Sequence, residues 1–388
     1  MDHDLKPIYL DYNATTPIDA KVLESMLPYL QSNFGNPSSS HVFGWIPKEA
    51  VEKSREQVAA LIGADDINEI IFTSGGTESD NHAIIGTALA NKEKGTHIIT
   101  SIIEHPAVLE TCRYLERLGF RITYLPVDEY GLIHPEDVQS AIDDDTILIT
   151  IMQANNEVGT IQPIDEIGEI AKKIEIPFHT DAAQSCGKIE VDVEKLQVDL
   201  LTIAGHKIYA PKGVGALYFR KGTAIDNFVH GAGQEMGRRA GTENVPYMVG
   251  LGVACDIAKY ALPEFSGGVK TLRDSLYKNL LEGIGHERIK LNGHLEKRLP
   301  NTLNVSILGT VGEMLLSSIP ELAASTAAAC HSGSFEPSKV LLGLGLTKQE
   351  ALGALRLSLG RGTTKEEVDT ASRLIVEHAN EILKVQSR

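Results

Sequence analysis

Between Ile70 and Phe219 short β-branched runs alternate with stretches of helical period, the pattern of a parallel sheet flanked by helices. Ile70-Ile71-Phe72-Thr73 reads as a strand stopping at Ser74-Gly75-Gly76, with a helix from Thr77 onward. Further strands are predicted over 97–100, 120–125, 147–152, 178–180 and 200–203. Right-handed crossovers would bring the carboxyl ends of these strands to one edge, where such sheets bind ligands. A long helical pattern follows Thr242-Glu243-Asn244-Val245-Pro246 to about Tyr260, and the turn-rich stretch from Pro263 to Gly268 reads as a boundary. Beyond it, helices and short strands such as 302–307 suggest a smaller α+β domain. The expected division is a large domain over 16–262 and a small one formed by 1–15 with 263–388.

A chain of 388 residues suits two such units, and 42% hydrophobic with 23% charged residues is the balance of a folded globular protein. The net charge of -16 disfavours nucleic acid and anionic lipid as primary partners. The N-terminus lacks a signal-peptide pattern and no segment approaches the ~20 apolar residues of a membrane span, so the expected location is cytoplasmic. Cys112, Cys186, Cys255 and Cys330 form no C-x-x-C pair, which excludes a disulfide framework and a structural zinc site and leaves thiol chemistry.

The chemistry-bearing residues cluster after the predicted strands. Ser74-Gly75-Gly76-Thr77-Glu78 lets the backbone close on an anion at a helix N-terminus, or serves as a plain turn with Thr77 as the cap. It is neither a Walker loop nor a dinucleotide fingerprint. Lys207, in Gly205-His206-Lys207, ends an apolar strand, where an ammonium is costly unless paired or covalently used; the alternative is a loop lysine at the surface. Asp181, in His179-Thr180-Asp181, could hold a pyridine nitrogen protonated or cap the next helix. His105 could stack on an aromatic ring, move a proton or sit on a polar rim. Together an anion cradle, a lysine, an acid and a histidine at successive strand ends make the equipment of a pyridoxal 5'-phosphate (PLP) enzyme.

On LDYNATTP, GNPSSSH, FTSGGTESDN, EHPAV, NNEVGTIQPI, HTDAAQ, GHKIYAPKGVGALY, GRRAGTENV, ACHSGSFEPSKVL and LRLSLGRGTT, the chain resembles the cysteine desulfurases of the fold-type I, class V aminotransferase-like group over nearly its full length. The resemblance implies a mainly parallel seven-stranded sheet, a homodimer, and L-cysteine as substrate. It also implies that Lys207 holds PLP covalently and shuttles protons at the substrate α-carbon. Asp181 pairs with the pyridine nitrogen, Gln184 with the ring oxygen, and His105 stacks on the ring. Gly76, Thr77 and His206 hold the phosphate, with Thr242 reaching it from the neighbouring subunit. Asn156 contacts cofactor and substrate, and Arg356 forks onto the substrate carboxylate. Cys330 is the implied nucleophile, on a mobile loop of about 322–338, taking sulfur as a persulfide and leaving alanine. The segment resembles the long-loop type, which passes sulfur to a partner protein such as an iron-sulfur scaffold or a thiolation protein. No metal is implied.

The chain departs from the family pattern at several points. Ala204 stands where a phosphate-binding serine is usual, Ala210 and Ala232 replace glycines, and His331 follows the nucleophile where a small hydroxyl residue is common. A protonated His331 would lower the thiol pKa; an exposed loop histidine is the alternative. The chain ends soon after Ile382 without the longer tail some relatives carry. Cys112, Cys186 and Cys255 read as packing residues. Rival functions are a selenocysteine or other C–S lyase, independent of Cys330, and a largely non-catalytic sulfur-carrier platform.

Overall fold

The computed structural model describes residues 7–326, 328–331 and 334–386, with the backbone alone at 328–331, 334, 335 and 386. Seven strands form the large sheet in the order Ile70–Thr73, Gly215–Phe219, Leu200–Ala204, Phe178–Asp181, Thr146–Thr150, His97–Ser101, Arg121–Leu125. All run in one direction except Gly215–Phe219, which pairs antiparallel with both its neighbours. Six of the seven are buried along their whole length, because helices cover both faces. This explains why they read as continuous apolar runs rather than alternating ones. The strand expected over 147–152 ends at Thr150, and the chain beyond it turns over the carboxyl edge.

A second, antiparallel sheet has the order Ser325–Thr326, Ala354–Ser358, Thr302–Ile307, Ile289–Leu291. Beside it Ile8–Tyr9 pairs in parallel with Leu322–Ala323. One hydrophobic cluster covers one face of the large sheet and two smaller ones the other, and a further cluster joins Leu10, Phe265 and Leu276 to Leu303, Leu355 and Ile375.

The turn expected at Pro263 to Gly268 is helical instead. Val245–Glu264 continues through a π-helical turn, Phe265–Val269, into Lys270–Ile284 without leaving the helical path. Phe265 and Val269 bury one turn apart, while a Cβ on Gly267 or Gly268 would meet nothing. Anchoring by the apolar pair outweighs the ~1 kcal/mol that each helical glycine costs. The resulting 40-residue helix contains a window apolar enough to cross a membrane, contrary to the expectation from sequence. Half of that window is buried, and its first part packs on the helices Ala20–Gln31 and Val42–Ile62.

Candidate active site

The turns that follow the parallel strands and one residue of the small sheet enclose a cavity of about 390 Å³. Nine of the eleven residues singled out from the sequence line it: Gly76, Thr77 and His105 with Asn156, Asp181 and Gln184, and His206, Lys207 and Arg356. Thr242 is exposed and lies outside this cavity. Cys330 has a described backbone and a side chain outside the described residues, as does His331. The segment expected as a loop is drawn in its backbone as a ribbon of Ala328–His331 against Ser334–Pro337, in which Cys330 is opposite Phe335. Pairing satisfies backbone groups that a loop would leave to solvent.

The cradle forms where Ile70–Thr73 runs into the helix Gly76–Ala90. Gly75, not Thr77, is the cap, and no side chain caps the helix, so its first N–H groups remain available. Gly75 has φ 150, and a Cβ on Gly215 would lie 2.8 Å from the Gly75 Cα, so this crossing requires glycine on both strands' sides. Glu78 receives the Ser74 N–H at 2.9 Å and pairs with Arg239 at 2.8 Å; against its burial, these hold its carboxyl below the usual range. His206 and Lys212 line the adjoining opening.

Lys207 donates from Nζ to the carbonyls of Asn13 and Ala14 at 2.6 and 2.8 Å. Burial and the nearby Arg356 charge bring its pKa down to about 8, against the pull of Asp181 and Asp11. Asp181 is 6% exposed and accepts the Ala183 N–H at 2.8 Å. It caps a turn and no helix, since Phe178–Asp181 is followed by turns. Burial raises its pKa, opposed by that N–H and by the His105 and Lys207 charges. His105 caps the helix Pro106–Arg117 by accepting the Ala107 N–H on Nδ1 at 3.1 Å, which fixes the ring at the cavity wall. Burial, then Lys207, lowers its pKa. Gln184 donates to the Asn13 carbonyl at 2.9 Å and accepts from Lys188 at 2.6 Å.

Sequence reasoning passed over Asn13, Lys188 and Asp80. Asn13 is the hub: its side chain donates to Thr302 Oγ1 at 2.8 Å and accepts from Lys188 and Asn301 at 3.0 Å each. It tied both sheets to the lysine from within a motif whose individual roles no spacing rule assigns. Lys188 is fully enclosed, and burial drives its pKa well down. Asp80 projects from the cradle helix; its buried Oδ1 has no hydrogen-bond partner among the described residues and lies 3.7 Å from His179 Nε2.

The donor set fits PLP. Uncapped helix N–H groups suit a phosphate, and an enclosed acid with no direct ion pair among the described residues suits a cationic ring nitrogen. An amine near pKa 8 suits an aldehyde.

A family model described as Aminotransferase class-V matches residues 8–371. The chain belongs to the class-V aminotransferase family. It is 52% identical to the cysteine desulfurase IscS of Methanosarcina thermophila over 374 residues, covering 96% of this chain and 92% of that one. Among solved structures, a NifS-like protein superposes with a TM-score of 0.89 at 41% identity, covering 96% of this chain and 99% of that one. The structure of SspA in complex with cysteine gives 0.81 at 40% identity, covering 90% and 98%. The family and its cysteine desulfurases are PLP-dependent, and the fold is that of the fold-type I PLP enzymes.

Proposed function

We infer that this chain is a PLP-dependent cysteine desulfurase, converting L-cysteine to L-alanine and taking the sulfur onto Cys330 as a persulfide. The observation that carries the reading is the single cavity uniting Lys207, its amine near pKa 8, with the anion cradle, Asp181 and Arg356, in a chain half identical to named desulfurases. Bound PLP supplies an electron sink for the charge that develops at the substrate α-carbon.

The residues then divide the work. Lys207 would hold the cofactor and move the α-proton; Asp181 would hold the ring nitrogen, Gln184 the ring oxygen, and His105 would face the ring. Gly76, Thr77 and His206 would hold the phosphate, with Thr242 of the partner subunit. Asn156 and Arg356 orient the substrate, Arg356 through its two-pronged guanidinium. The Cys330 thiolate attacks the substrate sulfur; an S–S bond forms, the C–S bond breaks with its electron pair going to the carbon fragment, and protonation yields alanine.

A homodimer is part of the proposal. Its support is an apolar surface on the helices Ala20–Gln31 and Val42–Ile62 and their connection, where Leu27, Leu30, Phe34, Phe43 and Trp45 are exposed and the Phe34 and Phe43 rings lie 5.9 Å apart. We also assign 16–262 to a large domain and 1–15 with 263–388 to a small one, supported by the separate hydrophobic clusters of the two sheets, with Leu10 and Phe265 in that of the small sheet. A cytoplasmic location and a protein sulfur acceptor, an iron-sulfur scaffold or a thiolation protein, complete the reading.

The test is incubation with cysteine and a mild reductant, with sulfide and alanine measured together in wild type and Cys330→Ala. Equal release that disappears in the variant is expected. Retained release in Cys330→Ala would assign a C–S lyase instead, and no release from the wild type a non-catalytic platform.

A further inference from the structure

Arg356 reaches the cavity from the middle of Ala354–Ser358, and its guanidinium is already engaged. Nη2 lies 2.8 Å from Asp11 Oδ1 and donates to Ser325 Oγ at 3.0 Å. Nη1 approaches the Asn156 carbonyl at 3.4 Å, and Nε is buried with no partner among the described residues. Asp11 is held in place by a backbone bridge to Ser358 on the same strand, two residues from Arg356. It also precedes by two residues Asn13, whose carbonyl holds the Lys207 amine. Its charge supports protonation of Lys207, so it acts on both cations of the site. The Arg356 and Asp11 side chains are 13% and 18% exposed, accessible to a small ligand.

A carboxylate that forks onto Arg356 competes with Asp11 for Nη2. A plain carboxylic acid leaves Asp11 unpaired beside a second negative charge. An α-amino acid brings an ammonium group one carbon away, which gives the displaced carboxylate a new partner. On the reading of Arg356 as the substrate-carboxylate site, we propose that Asp11 is a specificity-determining residue that selects zwitterionic α-amino acids over simple carboxylates. The substrate carboxylate takes Arg356 from Asp11, and Asp11 receives the substrate ammonium. Rejection of the wrong ligand is built in as an unpaired charge rather than as a steric block.

Titration calorimetry of the holoenzyme with 3-mercaptopropionate, which is cysteine without its ammonium, tests this in a Cys330→Ala background that removes the proposed nucleophile. Asp11→Asn should bind this acid about fivefold tighter, which corresponds to ~1 kcal/mol for a partly exposed ion pair. In the enzyme with Cys330 intact, the KM for cysteine should not fall in parallel. Unchanged or weaker binding of the acid, or a parallel fivefold fall in KM, overturns the proposal. Asp11→Ala must give the same sign, and unfolding melts of both variants identify any loss of folding. Arg356→Leu separates the two readings: if it leaves acid binding intact, Arg356 is not the carboxylate site and both fail. If it abolishes binding while Asp11→Asn changes nothing, only the role of Asp11 fails.

Discussion

Ala204 closes the strand Leu200–Ala204 at the wall of the cavity, 3% exposed, and offers a methyl group where the cradle would accept a donor. Ala204→Ser adds one hydroxyl without disturbing the strand. The space for it exists because residue 76 is glycine: a Cβ there would stand 3.2 Å from the Ala204 Cβ, and that volume is free for the new oxygen. A hydrogen bond to a charged phosphate contributes ~1.5–3 kcal/mol, or roughly ten- to 150-fold in affinity. Without a ligand the same hydroxyl is a buried donor lacking a partner, so the apoprotein should lose about 1 kcal/mol of stability. Pyridoxamine 5'-phosphate is the appropriate probe, since it lacks the aldehyde and reports the non-covalent contacts without the Lys207 bond. Its dissociation constant, measured by equilibrium dialysis against apoprotein, should fall at least tenfold in Ala204→Ser, and the urea midpoint of the apoprotein should fall slightly. An affinity within twofold of wild type would refute the assignment of the Gly76 helix end as the phosphate cradle facing Ala204.

The depressed Lys207 sets a pH dependence: its amine should combine with PLP in the apoprotein at a rate that rises with pH to a midpoint near 8, because the free base is the reacting form. A stopped-flow absorbance profile with its midpoint near 10 would contradict this. Ser338 donates to Glu157 at 2.5 Å and accepts from the Val340 and Leu341 N–H groups, capping Lys339–Gly343 just after the cysteine ribbon. Ser338→Ala should cost about 1 kcal/mol in denaturant unfolding and slow persulfide formation in a single turnover more than it weakens cysteine binding. Arg55 and Glu235 form a buried two-pronged pair at 2.8 and 2.9 Å, and Glu235 also takes the Phe72 N–H. Removing one partner strands the other, so Arg55→Ala should lose ~3–5 kcal/mol in a urea titration, whereas a loss below 1 kcal/mol would show that water replaces the pair.

The parallel strands were legible in the sequence because a strand covered on both faces is rich in β-branched and apolar residues without a solvent-facing alternation, and the glycine, lysine and acid that end them interrupt those runs visibly. Their convergence on one edge follows from crossover handedness alone. Cys112, Cys186 and Cys255, which read from the sequence as packing residues, are buried. Tertiary packing decided what local signals could not. Pro263, Gly267 and Gly268 are helix breakers by propensity, yet Phe265 and Val269 gain more from the second core than the turn residues lose. Gly215–Phe219 runs antiparallel because its partners on either side hold it there, a choice no run of five apolar residues encodes. Asn13, Lys188 and Asp11 became part of the site only when chain segments 175 to 345 residues apart were brought together. A sequence displays burial through composition and turns through glycine and proline; the partner of a charged or amide side chain is fixed by where the whole chain places it.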